Sequence, residues 1–163
     1  MSAASDAYLV GLKLLARREL SEAQLRGRLA RRQFDEADID SAVDKLSRER
    51  ALDDRRTALA CARTELAVRR RGRIRVLRQI EALGIASSTA RAAVNEVFDE
   101  VDETALLEQA LDRRLKRGLT LDEPATVRRL HRYLIAQGFD PAHVVTLLRR
   151  RARGEVSWTV LTD

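Results

Sequence analysis

One apolar pattern is written three times in this chain. Leu25-x3-Leu29-x4-Phe34-x4-Ile39-x3-Val43, Val76-x3-Ile80-x4-Ile85-x4-Ala90-x3-Val94 and Leu130-x3-Leu134-x4-Phe139-x4-Val144-x3-Leu148 share the same internal spacing, offset by 51 and then 54 residues. Apolar residues four apart form a helical stripe, so each copy reads as a stripe, a short turn holding one apolar residue, and a second stripe. A fixed period of this size is the signature of repeat architecture, in which each unit buries its apolar face only by stacking on its neighbours.

The turns carry their own chemistry. Gly84 and Gly138 stand just past the last apolar residue of a stripe, where a left-handed residue closes a helix, and Ile85 and Phe139 follow as the apolar contact of such a stop. The first copy has Gln33 at that position, which costs a few tenths to about 1 kcal/mol if the backbone there is left-handed. Asp35, Ser87 or Ser88, and Asp140 are candidate caps for the helices that follow, with Pro141 after Asp140 at a first helical position. Ser21-Glu22-Ala23-Gln24 has the spacing of a capping box, and Asp53 and Asp122-Glu123-Pro124 are further candidate helix starts.

One more helical stretch precedes each pair. Tyr8 to Arg18 carries Leu12 and Leu15, Asp54 to Arg69 carries Leu59, Ala62 and Leu66, and Thr104 to Arg117 carries Leu107, Ala110, Leu111 and Leu115. The expected fold is all-α: three tandem three-helix repeats, at residues 1–51, 52–101 and 102–153, forming an elongated, curved body. A tail at 154–163, with alternating apolar residues around Trp158, docks or frays because a lone strand is not stable. Seven glycines, two prolines and 4% aromatic residues call for short loops and an aliphatic core.

Several function classes find no residues to stand on. The sequence has no CxxC, HExxH, phosphate-cradling glycine loop or nucleophile elbow, and His131 and His143 fall on different helices, so neither catalysis nor a metal or other cofactor is expected. His131, among Arg128, Arg129 and Arg132, reads as a surface or partner contact. The paired carboxylates Asp53 and Asp54 read as a helix start, with negative charge on the positive end of the dipole. No apolar run suits a membrane span or a secretory signal, and the single cysteine, Cys61, fits a reducing, cytoplasmic setting as a small packed side chain.

Charge is the positive evidence. The formal net charge is +6, and residues 53–98 alone have an excess of +5, concentrated in Arg63, Arg69, Arg70, Arg71, Arg73, Arg75 and Arg78 with Glu65 the only acid among them. Of the 31 basic residues 28 are Arg, which reflects coding bias as well as selection, but bias does not explain the clustering. Residues advancing by 100° per step cannot share one helix face, so the run through Gly72 is a helix end, a turn and a new start that fans its guanidinium groups outward. Such a surface suits nucleic-acid phosphates or an acidic protein surface. With no aromatic in the cluster and Gln79 its only nearby amide, sequence readout is not expected.

The order of these features resembles a known family. Ala7-Tyr8, Leu14-Leu15-Ala16-Arg17-Arg18-Glu19-Leu20-Ser21-Glu22 with Leu25 and Leu29, then Leu52-Asp53-Asp54, Gly72 and Leu83-Gly84-Ile85 are similar to the bacterial RecX regulatory proteins over roughly residues 7–151. Thr57 stands where that family often has an aromatic residue, and Leu83 where a basic one is common. The resemblance implies a non-enzymatic modulator of the RecA recombinase, acting as a monomer. It would lie in the groove of the RecA filament on DNA and hinder ATP turnover, filament growth, strand exchange and co-protease activity. Two other classes fit the residues: a stand-alone helical DNA-binding regulator, or a helical scaffold for another protein. The repeat reading itself is tested by small-angle scattering: an elongated body has a radius of gyration clearly above the roughly 15 Å of a compact globule of this length, and a value at that figure would refute it.

Overall fold

The computed structural model describes residues 3–116 and 121–152, and over these it holds nine α-helices and no strand. They run α1 Ala3–Leu15, α2 Glu22–Ala30, α3 Glu36–Arg48, α4 Asp54–Ala67, α5 Arg73–Glu81, α6 Ser87–Phe98, α7 Glu103–Leu115, α8 Pro124–Ala136 and α9 Pro141–Arg151. The starts of α2 and α5 are 51 residues apart, and those of α3, α6 and α9 are 51 and 54 apart, the offsets of the apolar pattern. Of the fifteen residues in that pattern, fourteen are buried and only Phe34 is half-buried. The tail around Trp158 lies outside the described residues.

The helices fall in two compact units: the described residues up to Ala62 with Gln79–Asn95, and Arg63–Arg78 with the described residues from Glu96 onward. The middle triplet therefore contributes to both. In the first unit Leu14, Leu20, Leu25, Leu29, Ile39, Val43, Leu46 and Leu52 form one cluster, with Tyr8 and Phe34 packed on it. Here α1 lies on α3 and α2. Its buried face is Ala7, Gly11 and Leu14, whereas Leu12 and Leu15, expected inside, are only half-buried. Two small residues one turn apart let the α1 backbone approach α3, and a Cβ on Gly11 would stand 2.7 Å from Leu46 Cδ1. The same pair recurs 51 residues later as Ala58 and Ala62, both fully buried. In the second unit α7 packs on α8 and α9, and α8 on α9.

Helix ends are satisfied as the turn chemistry requires. Ser21 caps α2 in a full capping box: its Oγ accepts the Gln24 N–H at 3.1 Å, and Gln24 Oε1 accepts the Ser21 N–H at 3.3 Å. Asp35, Asp102 and Asp140 cap α3, α7 and α9 by accepting the N–H three residues on. Neither Ser87 nor Ser88 is a cap. Ala86 holds the position before α6, its carbonyl accepting the Ala90 N–H, while Ser87 is already helical and gives its hydroxyl to Glu81. At α8 the helix follows Glu123 with Pro124 at its first turn, and Glu123 makes no side-chain capping bond. The stops are left-handed: φ is 79° at Gly84, 91° at Gly138 and 65° at Gln33. At Gly138 both bonds of a Schellman motif form, Gly138 N–H to Ile135 O at 2.9 Å and Phe139 N–H to Leu134 O at 3.4 Å.

A second constraint acts on these glycines. Ser21 gives its hydroxyl hydrogen to the carbonyl of Leu83, the residue before Gly84, so the start of α2 sits directly on the turn after α5. A Cβ on Gly84 would lie 2.5 Å from Ala23 Cβ. One period later Gly72 occupies the place of Ser21, and its N–H donates at 2.9 Å to the carbonyl of Gln137, the residue before Gly138. There a Cβ on Gly138 would collide with the Arg75 backbone, and one on Gly72 with the Gly138 carbonyl. Gln33 is exposed, and among the described residues no helix start is hydrogen-bonded to the turn before it, so its side chain meets the conformational cost alone.

Opposite outcomes follow at one turn position. Gly84→Val combines left-handed strain with a steric clash and lowers unfolding stability by about 2–4 kcal/mol, whereas Gln33→Gly raises it by roughly 0.5–1 kcal/mol. Gly11→Ala, favourable in an open helix, here costs about 1 kcal/mol because Leu46 fills the space. Denaturant midpoints measure all three, and a Gly84→Val protein as stable as its parent would refute the docking account.

Candidate functional site

The arginine-rich stretch lies where α4 ends and α5 begins. α4 stops at Ala67 and the chain turns through Val68–Gly72, with Arg70 in the left-handed region at φ 52°. Three contacts make that turn. Arg70 N–H donates to Leu66 O at 3.1 Å, Arg71 N–H to Glu65 O at 3.2 Å, and Gly72 N–H to Gln137 O at 2.9 Å.

Glu65 is the anchor. It is buried, with 5% of its surface exposed, and its carboxylate accepts Arg69 Nη1 at 3.0 Å and a second, very short bond from Arg71 Nη1. Fifty-one residues earlier the corresponding position is Leu14 in the aliphatic core of the first triplet. A carboxylate at an otherwise apolar position is stable because two guanidinium groups replace its lost hydration.

The seven arginines singled out by the sequence therefore do different things. Arg71 and Arg69 hold Glu65; Arg73 Nε bonds Glu103 Oε1 at 2.9 Å and its guanidinium lies 5.2 Å from the Phe98 ring centre. Arg75 Nη1 donates to the Ala136 carbonyl at 2.7 Å, closing the C-terminal end of α8. These contacts take Arg71, Arg73 and Arg75 out of the outward fan that the sequence suggests. Arg63, Arg70 and Arg78 are exposed and form no ion pair among the described residues. Arg63 also borders an open groove of about 440 Å³ with Leu66, Ala67, Glu96 and Val97.

Asp53, Asp54 and Thr57 have structural roles. Asp53 Oδ1 accepts the Arg56 N–H at 3.0 Å, capping α4, while Asp54 Oδ1 reaches the first N–H of α2, on Glu22, at 2.8 Å. Partial burial raises the Asp54 pKa, with the adjacent charges of Glu22 and Asp53 adding to the rise and the Glu22 N–H opposing it. Thr57 is buried, its hydroxyl 3.1 Å from Asp53 O and 3.3 Å from Leu20 O, a fit that a small polar side chain allows and an aromatic one does not. His131 is half-buried rather than a surface group: its Nε2 has no hydrogen-bond partner among the described residues, and burial pulls its pKa below the usual imidazole value. Cys61 is half-buried and outside any disulfide. Among the described residues no cluster of His, Cys, Asp or Glu could hold a metal ion, and no helix is long and apolar enough to cross a membrane.

Apolar stripes alone reveal neither the clamp on Glu65 nor the small pair Ala7 and Gly11. The 51-residue offset carries the signal: it aligns Ala7 with Ala58, Gly11 with Ala62 and Leu14 with Glu65 between the first helices of the first two triplets.

Comparison with known proteins bears on what this arrangement belongs to. Residues 7–46 match the family model described as RecX, first three-helix domain. The chain is 32% identical to the regulatory protein RecX of Syntrophotalea carbinolica over 143 residues, covering 87% of this chain and 94% of that one. It is 40% identical to a regulatory protein RecX of Thermus thermophilus over 107 residues, 66% of this chain and 68% of that one. In fold it matches the crystal structure of RecX from Lactobacillus salivarius with a TM-score of 0.76 at 16% identity, over 91% of this chain and 96% of the other. With the shared helix order and a relative matched over nearly its whole length, the chain belongs to the RecX family of regulatory proteins.

Proposed function

We propose that this protein binds the RecA recombinase filament in its helical groove and lowers ATP hydrolysis, filament extension, strand exchange and co-protease activity, thereby modulating DNA repair and recombination. The observation that carries this reading is the RecX match along 87% of the chain. Three repeats, at 1–51, 52–101 and 102–153, form the binding body, and its positively charged middle complements a groove lined by acidic protein surface and DNA phosphate. The protein acts by occupancy. A body lodged between protomers opposes the movements that ATP turnover and strand exchange require, and no group of its own enters the chemistry.

Within this reading Arg63, Arg70 and Arg78 are the contacting cations, while Arg69 and Arg71 hold the turn that carries Arg70, and Arg73 and Arg75 tie α5 to Glu103 and to the end of α8. Adding the protein to RecA on single-stranded DNA lowers ATP hydrolysis at substoichiometric ratio and leaves an unrelated DNA-bound ATPase unchanged. Reversing Arg63, Arg70 and Arg78 to Glu abolishes most of that inhibition while stability changes by no more than about 1 kcal/mol, since exposed charges contribute little. Reversing Arg128, Arg129 and Arg132, an equal charge change at exposed positions of α8, leaves most of it. Equal loss in both would make net charge, not this patch, the determinant. Arg70→Gly separates function from folding: relief of the left-handed strain raises stability by about 0.5–1 kcal/mol, and loss of the guanidinium weakens inhibition.

A further inference from the structure

Among the described residues the most exposed large apolar side chain is Val68, with 74% of its surface accessible. An isolated exposed valine needs no explanation, but this one has three features in its surroundings. It is the next residue in the chain after Ala67, which lines the groove between α4 and α6 together with half-buried Leu66 and Val97. It is flanked by cations, with Arg63 bordering the groove, Arg69 and Arg70 following in the chain, and Glu96 the one acid in the lining. And it sits on a tied turn: the bonds of Arg70 and Arg71 to Leu66 O and Glu65 O, the Glu65 carboxylate clamp and the Gly72 bond to Gln137 fix the backbone on both sides. An apolar side chain presented on ordered backbone loses little conformational freedom when a partner covers it.

We infer that Val68 and the α4–α6 groove form a protein-docking surface for an acidic segment of the partner that carries an apolar side chain, with the apolar group covering Val68 and filling the groove and the carboxylates meeting Arg63 and Arg70. This rests on the regulatory reading above and specifies what its central patch recognises. Nucleic acid fits the patch less well. A phosphate backbone has no group for an apolar groove, and residues 54–97 contain no aromatic side chain on which a base could stack. A protein segment satisfies both halves of the surface, an apolar centre that excludes water and a charged rim that sets orientation.

The test uses the full chain with RecA filaments on single-stranded DNA, and single-stranded DNA alone as a second ligand. Val68→Ser removes the apolar anchor and Ala67→Trp plugs the groove, both without changing charge; Leu9→Ser alters the other large apolar residue exposed among the described residues, on α1, as a control. Each of the first two raises the concentration needed for half-inhibition about tenfold, leaves its salt dependence and the thermal midpoint near the parent's, and does not change affinity for free DNA. The control behaves as the parent. Parent-like inhibition by both Val68→Ser and Ala67→Trp would overturn the inference while leaving the regulatory reading intact. A parallel loss of affinity for free DNA would also overturn it, in favour of a nucleic-acid contact. Failure of the parent itself to bind or inhibit the filament would instead remove the regulatory reading, and this inference with it.

Discussion

The structure depends on one contact made twice, the start of a second helix against the turn at a stop glycine. The residue before a second helix gives a hydrogen to the carbonyl that precedes the stop glycine one period later: Ser21 to Leu83 through its hydroxyl, Gly72 to Gln137 through its backbone. The turn can lie this close to the helix start only where its stop residue carries no Cβ. That requirement, added to the positive φ, explains why the stop is glycine at 84 and 138 and not at 33. In each unit the hydrogen bond also satisfies a carbonyl at a helix end and so ties the turn to the helix start that meets it.

The second consequence of periodicity is substitution at an equivalent place. Leu14 closes the aliphatic cluster of the first triplet, and at the matching position of the second stands Glu65. Burying a carboxylate is costly without partners, and replacing this one with leucine need not reduce stability. What the charge does is local. By engaging Arg69 and Arg71 from both sides of a left-handed Arg70, it fixes a turn that a leucine would leave to its backbone bonds alone. A non-glycine residue at φ 52° is the sort of strain that surroundings must hold in place, and it puts a guanidinium where glycine would be the easier choice.

Charge clustering thus has two meanings within a single run of sequence. Arg73 on Glu103 and Phe98, and Arg75 on the α8 carbonyl end, belong to the scaffold; Arg63, Arg70 and Arg78 face solvent. Arginine serves both ends because its planar fork can satisfy a carboxylate or a row of carbonyls with several bonds at once, and its weak hydration makes that exchange inexpensive.

Much of the helical architecture was written in the sequence. The triple apolar spacing placed the second and third helix of each triplet, and the glycines, Ser21, Asp35 and Asp140 marked their ends, because helical stripes, left-handed stops and caps are local properties that a few neighbouring residues decide. The family was legible for the same reason. Local pattern failed where a contact partner lies far along the chain. Leu12 and Leu15 looked as suitable for the core as Leu14, and only packing on α3 selected the narrow face of Ala7 and Gly11. Glu65 looked like one acid diluted among arginines, and only burial beside Arg71 made it an anchor. Sequence determined how many cations the centre carries; tertiary structure decided which of them are free to act, because a guanidinium is claimed by whatever acceptor folding brings within about 3 Å, and that acceptor can be 30 residues away, as Glu103 is from Arg73, or 61, as Ala136 is from Arg75.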